Sequence, residues 1–140
     1  MTGQYQHNID AKGRLFIPAK LREELGETFY VTISLTDHCL TAYSEAGWEH
    51  LTEQFESLPY SKARKAIRLI YANAAKCEPD AQGRILLPQK LRDYAGLKKE
   101  VTVVGVSKRA EIWDAATWTE LETAELESED LASIMESLGI

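Results

Sequence analysis

The chain carries the stretch DAKGRLFIPAKLR at residues 10–22 and the stretch DAQGRILLPQKLR at residues 80–92. Both copies keep Asp-Ala-x-Gly-Arg, then three apolar residues, then Pro-x-Lys-Leu-Arg. The offset between them is 70 positions (80 minus 10), and it stays constant through the residues that follow each copy. Self-similarity at one fixed spacing indicates that a whole structural unit was duplicated. The sequence therefore predicts two pseudo-symmetric halves.

Each copy is typical of a turn, a short strand and a short helix. Asp10 favours the start of a turn, and Gly13 supplies a positive φ at low cost; Asp80 and Gly83 take these places in the second copy. The apolar triplet is β-prone and ends at a proline, which suits the first position of a helix. Gly26 can end the first of these helices. Each half then reads strand, turn, strand, short helix, two strands, helix.

The predicted elements of the first half are strands at 5–9, 14–17, 29–33 and 40–43, a short helix at 19–25, and an amphipathic helix that follows the N-cap Ser44 and carries Trp48, Leu51, Phe55 and Leu58. Asp114 replaces Ser44 as the N-cap of the second half. We divide the chain into a first half (1–58), a connecting segment (59–76), a second half (77–121) and an acidic helical tail (122–140).

Two helical segments lie outside the repeat. A connecting helix is predicted from Ser61 to about Ala75, because its small and apolar residues recur on one face. Its opposite side is basic and is either a solvated face or a DNA-facing one; the residues are Lys62, Arg64, Lys65 and Arg68. The tail has one apolar stripe that can pack on its own core or on a neighbouring subunit; the residues are Leu131, Ile134, Met135 and Leu138.

Charge is segregated along the chain. The formal net charge is -6, yet residues 111–140 hold nine acidic residues and no Lys or Arg. Residues 1–110 therefore hold 13 acidic residues (22 minus 9) and 16 basic ones, a net of +3. A local basic patch can bind phosphates whatever the total charge. With no apolar run of membrane-spanning length and no signal segment, we expect a cytoplasmic protein without a membrane partner.

The candidate binding residues lie in the two turns. Arg14 and Arg84 each follow a turn glycine, and their planar forks of donors can bind phosphate or a guanine edge. Lys12 adds a phosphate contact, whereas Gln82 can hydrogen-bond to a base edge. A two-stranded β-ribbon is narrow enough to enter the major groove of DNA. The difference between Lys12 and Gln82 predicts that the two turns do not contribute equally.

The same turns allow two other interpretations. Asp10 could pair with Arg14 merely to fix the turn, which is compatible with an outer face of Arg14 that meets DNA. Asp10 and Asp80 could form a carboxylate pair as in aspartic proteases. Neither Asp, however, is followed by a small hydroxyl residue and glycine, and a nearby Arg would hold each one ionised. We therefore expect no enzyme. The histidines are scattered, so neither a metal nor a cofactor is expected.

The paired motif resembles the AbrB-type swapped-hairpin DNA-binding unit. Together with the phrases Asp37-His-Cys-Leu40, Gly105-Val-Ser-Lys-Arg109 and Ile112-Trp113, it resembles the MraZ family over the chain up to about Leu121. The resemblance implies an α+β fold. In that fold two tandem β-hairpin units with short helices form one intertwined, barrel-like core, with further helices flanking it.

The resemblance also implies a function. MraZ proteins regulate transcription of the division and cell-wall gene cluster, typically repress it, bind direct repeats in its promoter, and assemble into rings. Arg14 and Arg84 would contact DNA, and the protein would associate with the nucleoid without a cofactor or a small-molecule substrate. An oligomeric scaffold and an antitoxin-like regulator are the alternatives. The chain departs from the family at Ser34-Leu35 and at Ser44, near a candidate subunit contact.

Overall fold

The computed structural model describes residues 1–140. Its strands are β1 (Gln4–Asn8), β2 (Arg14–Phe16), β3 (Phe29–Ile33), β4 (Leu40–Ser44), β5 (Ala75–Cys77), β6 (Arg84–Leu86), β7 (Glu100–Val106) and β8 (Arg109–Asp114). Its helices are α1 (Ala19–Leu25), α2 (Glu45–Glu56), α3 (Tyr60–Ala72), α4 (Gln89–Tyr94), α5 (Ala115–Leu126) and α6 (Asp130–Ser137). The predicted order of elements in each half is confirmed.

The strands of the two halves are interleaved. One sheet has six antiparallel strands in the order β1-β7-β8-β4-β3-β5, and a second sheet consists of β2 and β6 alone. The first strand of each half therefore pairs with the other half, β1 with β7 and β5 with β3. Neither half holds all of its own strand partners. The predicted α+β fold of two intertwined units is confirmed.

A pseudo-two-fold axis passes through both sheets. In the large sheet Thr41 lies opposite Glu111, and in the small sheet Leu15 lies opposite Ile85. Both pairs differ by the repeat offset of 70 (111 minus 41, and 85 minus 15), so each residue faces its own duplicate. Leu15 is 0% exposed and Ile85 is 2% exposed, and both belong to the apolar core that the two sheets enclose.

The predicted helix ends have identifiable causes. α1 starts after Pro18 and is followed by Gly26 at φ +87°. Ser44 Oγ accepts a hydrogen bond of 3.0 Å from the Gly47 N–H, which caps α2. The Asp114 carboxylate accepts one of 3.3 Å from Thr117 at the start of α5. These side chains satisfy N–H groups that have no partner within their helix.

Two expectations need adjustment. The connecting helix ends at Ala72 rather than Ala75, because Ala75 opposes Val31 and joins the large sheet as part of β5. Leu58 lies beyond the end of α2 and is 51% exposed, so it is not part of the packed helix face. The tail forms the predicted helix α6, and its apolar stripe, whose packing partner the sequence left open, is exposed in the single chain.

The basic side of α3 is exposed, an arrangement that fits both interpretations given above. None of the helices combines the length and the apolar character that crossing a bilayer would require.

Candidate nucleic-acid interface

Asp10 organises the first turn through three hydrogen bonds. Its Oδ1 accepts from the backbone N–H of Lys12 at 3.0 Å and of Arg14 at 2.9 Å, and its Oδ2 accepts from Arg14 Nε at 2.7 Å. Gly13 has φ +81° and donates its N–H to the Asp10 carbonyl at 3.0 Å. A short carboxylate acceptor thus fixes both the backbone and the guanidinium of one loop.

The second turn repeats this arrangement atom for atom. Asp80 Oδ1 accepts from the N–H groups of Gln82 and Arg84, both at 2.9 Å, and Asp80 Oδ2 accepts from Arg84 Nε at 3.0 Å. Gly83 has φ +80°. Two loops of nearly identical geometry therefore lie at the two ends of the short sheet, and each presents one arginine.

Both carboxyl groups are held in the ionised form. The backbone N–H of Arg14 is the main cause that lowers the pKa of Asp10 below its usual value of 3.8, and the N–H of Arg84 does the same for the pKa of Asp80. Two carboxyls that share a proton would instead show one strongly raised pKa. The aspartates therefore hold the loops in shape, in an arrangement unlike the protease dyad.

The strand period of two sorts the residues of the small sheet between its faces. Leu15 and Ile85 point into the core, whereas Arg14 and Arg84 point outward. Outward with them, at the paired positions, lie Phe16 and Leu86. We call this outward surface, together with the loops 10–14 and 80–84, the ribbon face. It brings the predicted residues Lys12, Arg14, Gln82 and Arg84 onto adjoining loops and strands.

The arginines of the ribbon face keep donors available. Arg14 uses Nε for Asp10, and neither of its Nη atoms has a hydrogen-bond partner within the chain. Arg84 uses Nε for Asp80, and its Nη1 lies 3.9 Å from Asp10 Oδ2, so the Arg84 side chain reaches along the short sheet to the opposite loop. Their side chains are 33% and 28% exposed. Each arginine is thus oriented by protein and still open to a ligand.

Two further arginines belong to this surface, and sequence reasoning assigned them no role. Arg22 Nε donates to the Ile17 carbonyl at 2.8 Å, and Arg92 Nε donates to the Leu87 carbonyl at 3.0 Å. Both arginines occupy the last position of the repeated phrase Pro-x-Lys-Leu-Arg, and this repetition is the sequence feature that could have identified them. With them the ribbon face and its supports hold five cations, and three carboxylates (Glu23, Glu27 and Glu78) line the hollow beside Arg22 and Asp80; the cations are Lys12, Arg14, Arg22, Arg84 and Arg92.

The ribbon face is not fully symmetric. Phe16 lies between the His7 ring, at a centroid distance of 4.8 Å, and the Arg22 guanidinium, at 5.3 Å. In the second half Leu86 takes the place of Phe16 and is 62% exposed. The equivalent of His7 is Cys77, which is buried. One end of the ribbon is therefore aromatic and the other aliphatic.

An interleaved pair of hairpin units with arginine-bearing loops on a short ribbon defines a protein of the tandem swapped-hairpin class. The sequence pattern of one family, described as "MraZ protein, putative antitoxin-like", matches residues 1–69 and again residues 70–137. The chain belongs to the MraZ family. The family pattern thus occurs twice in tandem, as the internal repeat predicts.

Several relatives agree with this assignment over most of their length. The chain is 48% identical to the transcriptional regulator MraZ of Acetivibrio thermocellus, with 99% of this chain and 98% of the relative covered. It is 52% identical to that of Carboxydothermus hydrogenoformans over 83% of this chain and 82% of the relative. It is 46% identical to that of Caldicellulosiruptor bescii over 100% and 99%.

Proposed function

We propose that this chain is a sequence-specific transcriptional regulator that binds double-stranded DNA through the ribbon face and is not an enzyme. One observation carries the proposal. Arg14 and Arg84 are each anchored by Nε to a loop aspartate, and their Nη atoms make no hydrogen bond within the chain. A guanidinium held in this way can bind phosphate or a guanine edge with little further loss of side-chain entropy. The curated relatives named above are transcriptional regulators.

The shape of the site favours a duplex. A two-stranded ribbon fits the major groove, and the strand alternation directs Arg14 and Arg84 to the same side. Lys12 lies exposed in the first loop and would bind phosphate, which positions the protein without reading sequence. Gln82 takes the same place in the second loop and would hydrogen-bond to a base edge. The two loops would thus divide positioning and reading between them.

The proposal also specifies the regulated genes and the cellular location. The protein would repress the division and cell-wall gene cluster by binding direct repeats in its promoter, as the family resemblance implies. It would act in the cytoplasm at the nucleoid, without a cofactor. The net charge of +3 over residues 1–110 supports DNA binding despite the total charge of -6, because screening confines charge effects to about 10 Å.

The same proposal includes assembly into a homo-oligomer, and we favour a ring. Apolar side chains of α6 are exposed; Leu131 is 44%, Ile134 54%, Met135 45% and Leu138 66% exposed. A contiguous exposed apolar stripe is typical of a protein contact. Several ribbon faces on one assembly would engage successive repeats, and effective concentration would multiply weak contacts.

Fluorescence anisotropy with a repeat-bearing promoter fragment tests the DNA proposal. Arg14→Ala should weaken binding by about 5-fold to 150-fold, which corresponds to about 1–3 kcal/mol for a bidentate arginine contact. Lys108→Ala is the control, since it removes an exposed cation from the turn between β7 and β8, outside both the ribbon face and α3. Parent binding should fall steeply with salt, because phosphate contacts release counterions. If Arg14→Ala binds like the parent, or Lys108→Ala is the weaker binder, the ribbon face is the wrong surface.

Two further observations separate the alternatives. An oligomeric scaffold would assemble by light scattering yet shift no promoter fragment in a gel. The family description includes the words antitoxin-like, and a neighbouring toxin gene would favour that function. Neighbouring division and cell-wall genes would favour the function proposed here.

A further inference from the structure

We propose that Arg22 and Arg92 are positioning residues of the interface, each of which braces the DNA-contact loop that the other half of the chain contributes. The expected effect of these arginines on DNA binding rests on the proposed function. The bracing contacts themselves are a property of the free protein. Its basis is that the guanidinium of each arginine packs against the turn glycine of the opposite half.

The contacts of Arg92 show how the brace is built. A Cβ placed on Gly13 would lie 2.9 Å from both Cζ and Nη2 of Arg92, so the guanidinium rests directly on that glycine. Arg92 Nε donates to the Leu87 carbonyl at 3.0 Å, and the Leu87 N–H donates to the Gly13 carbonyl at 2.9 Å. Leu87 of the second half thus holds both the first loop and the side chain that covers it.

The contacts of Arg22 repeat this arrangement in the opposite direction. A Cβ placed on Gly83 would lie 2.8 Å from Cζ and 3.0 Å from Nη1 of Arg22. Arg22 Nε donates to the Ile17 carbonyl at 2.8 Å, and the Ile17 N–H donates to the Gly83 carbonyl at 2.9 Å. The same contacts between an arginine and the opposite turn glycine therefore occur on both sides of the pseudo-axis.

The two braces differ in one contact. The Arg22 guanidinium also lies over the Phe16 ring at 5.3 Å, a cation–π geometry. At the position equivalent to Phe16 the second half has Leu86, which offers no ring face. Arg22 therefore has an additional support that Arg92 lacks, and the loop 80–84 should be the more firmly held of the two.

The chemistry of the brace requires arginine and glycine. A planar guanidinium can lie flat on a backbone that has no Cβ while its Nε still donates in the plane, which a lysine ammonium cannot do. The braced backbone continues into Arg14 or Arg84, whose donors must reach DNA. A binding group is effective when a supporting layer of residues fixes its position. Loss of a brace should therefore weaken DNA binding without removing a contact.

Hydrogen–deuterium exchange of the free, full-length protein tests the bracing alone. Arg92→Ala should accelerate exchange in the loop 10–14 and leave the loop 80–84 close to the parent. Arg22→Ala should do the reverse. Lysine variants at both positions should resemble the alanine variants, and thermal unfolding identifies any variant that loses its fold. Faster exchange only in the arginine's own half, or unchanged exchange in both loops, would overturn the inference.

A double-mutant cycle on promoter DNA tests the consequence. Arg92→Ala alone should weaken binding by about tenfold, which lies within the range of coupling energies between residues in contact. When Arg92→Ala is added to Arg14→Ala, it should weaken DNA binding further by less than about threefold, because that loop already lacks its main contact. When Arg92→Ala is added to Arg84→Ala, the two effects on DNA binding should multiply. Multiplication in both pairs would identify Arg92 as a direct contact and refute the brace. If Arg14→Ala itself has no effect, the DNA proposal fails, and the exchange experiment still decides the bracing.

Discussion

Replacement of Leu15 by alanine should destabilise both halves of the chain together. Leu15 is 0% exposed and lies opposite Ile85 on the pseudo-axis. Around it, core side chains from both halves are equally buried, including Ile17 at 1% and Leu87 at 0%. A cavity here would be shared by the two halves, since neither half packs this region alone.

The magnitude follows from burial. Leu→Ala at fully buried sites costs about 2–5 kcal/mol, and the cost rises with the cavity that remains. The surrounding strands are paired on both sides of the axis and have little freedom to collapse, so we expect about 3–4 kcal/mol. For a chain of this size that loss lowers the Tm by about 10 °C.

Native-state hydrogen exchange in increasing urea is the appropriate assay, because β3 and β7 report on the two halves separately. Both strands should lose protection at the same lowered urea concentration in Leu15→Ala. Leu126→Ala at the end of α5 is the control, because Leu126 is 72% exposed and lies outside the α6 stripe; the expected change is within about 0.5 kcal/mol. If β7 keeps the parent's protection while β3 loses it, the halves fold independently and the interleaved core is refuted.

Three other outcomes are expected. Carboxyl NMR should show that Asp10 titrates below 3.8, because the backbone N–H of Arg14 lowers its pKa. The stability that this carboxylate contributes is therefore complete above about pH 3.8 and is lost as the pH falls through the lowered pKa. Gly13→Ala should destabilise the protein more than Gly96→Ala in urea unfolding; both have positive φ, but only Gly13 has a guanidinium within 4 Å. Burial raises the pKa of Cys39 to about 12 and of Cys77 to about 11, so both thiols should resist Ellman's reagent until unfolding.

The local parts of the structure were predictable from the sequence because their causes are local. The turn at Asp10 and Gly13, the helix at 19–25 and the caps at Ser44 and Asp114 all depend on residues a few positions apart. The duplication predicted the pseudo-symmetry as well, since a constant offset leaves little room for two different folds.

The pairing between halves could not be predicted from periodicity. A strand pattern states which residues share a face, but it does not state that β1 joins β7 or that Ala75 extends a sheet instead of α3. The role of Arg92 depends on that pairing, because Gly13 lies 79 positions away in sequence (92 minus 13). The exposure of the α6 stripe was left open by its amphipathic pattern, which suits any apolar partner.

The helix α3 gives the interleaved fold a thermodynamic property that two separate hairpin units would lack. Because α3 joins the duplicates covalently, the crossed strand pairs form within one chain, and dilution cannot dissociate them. The folding equilibrium of this core is therefore unimolecular and does not depend on protein concentration. Any shift of Tm with protein concentration would consequently report on contacts between chains alone, which separates assembly from folding in a single titration.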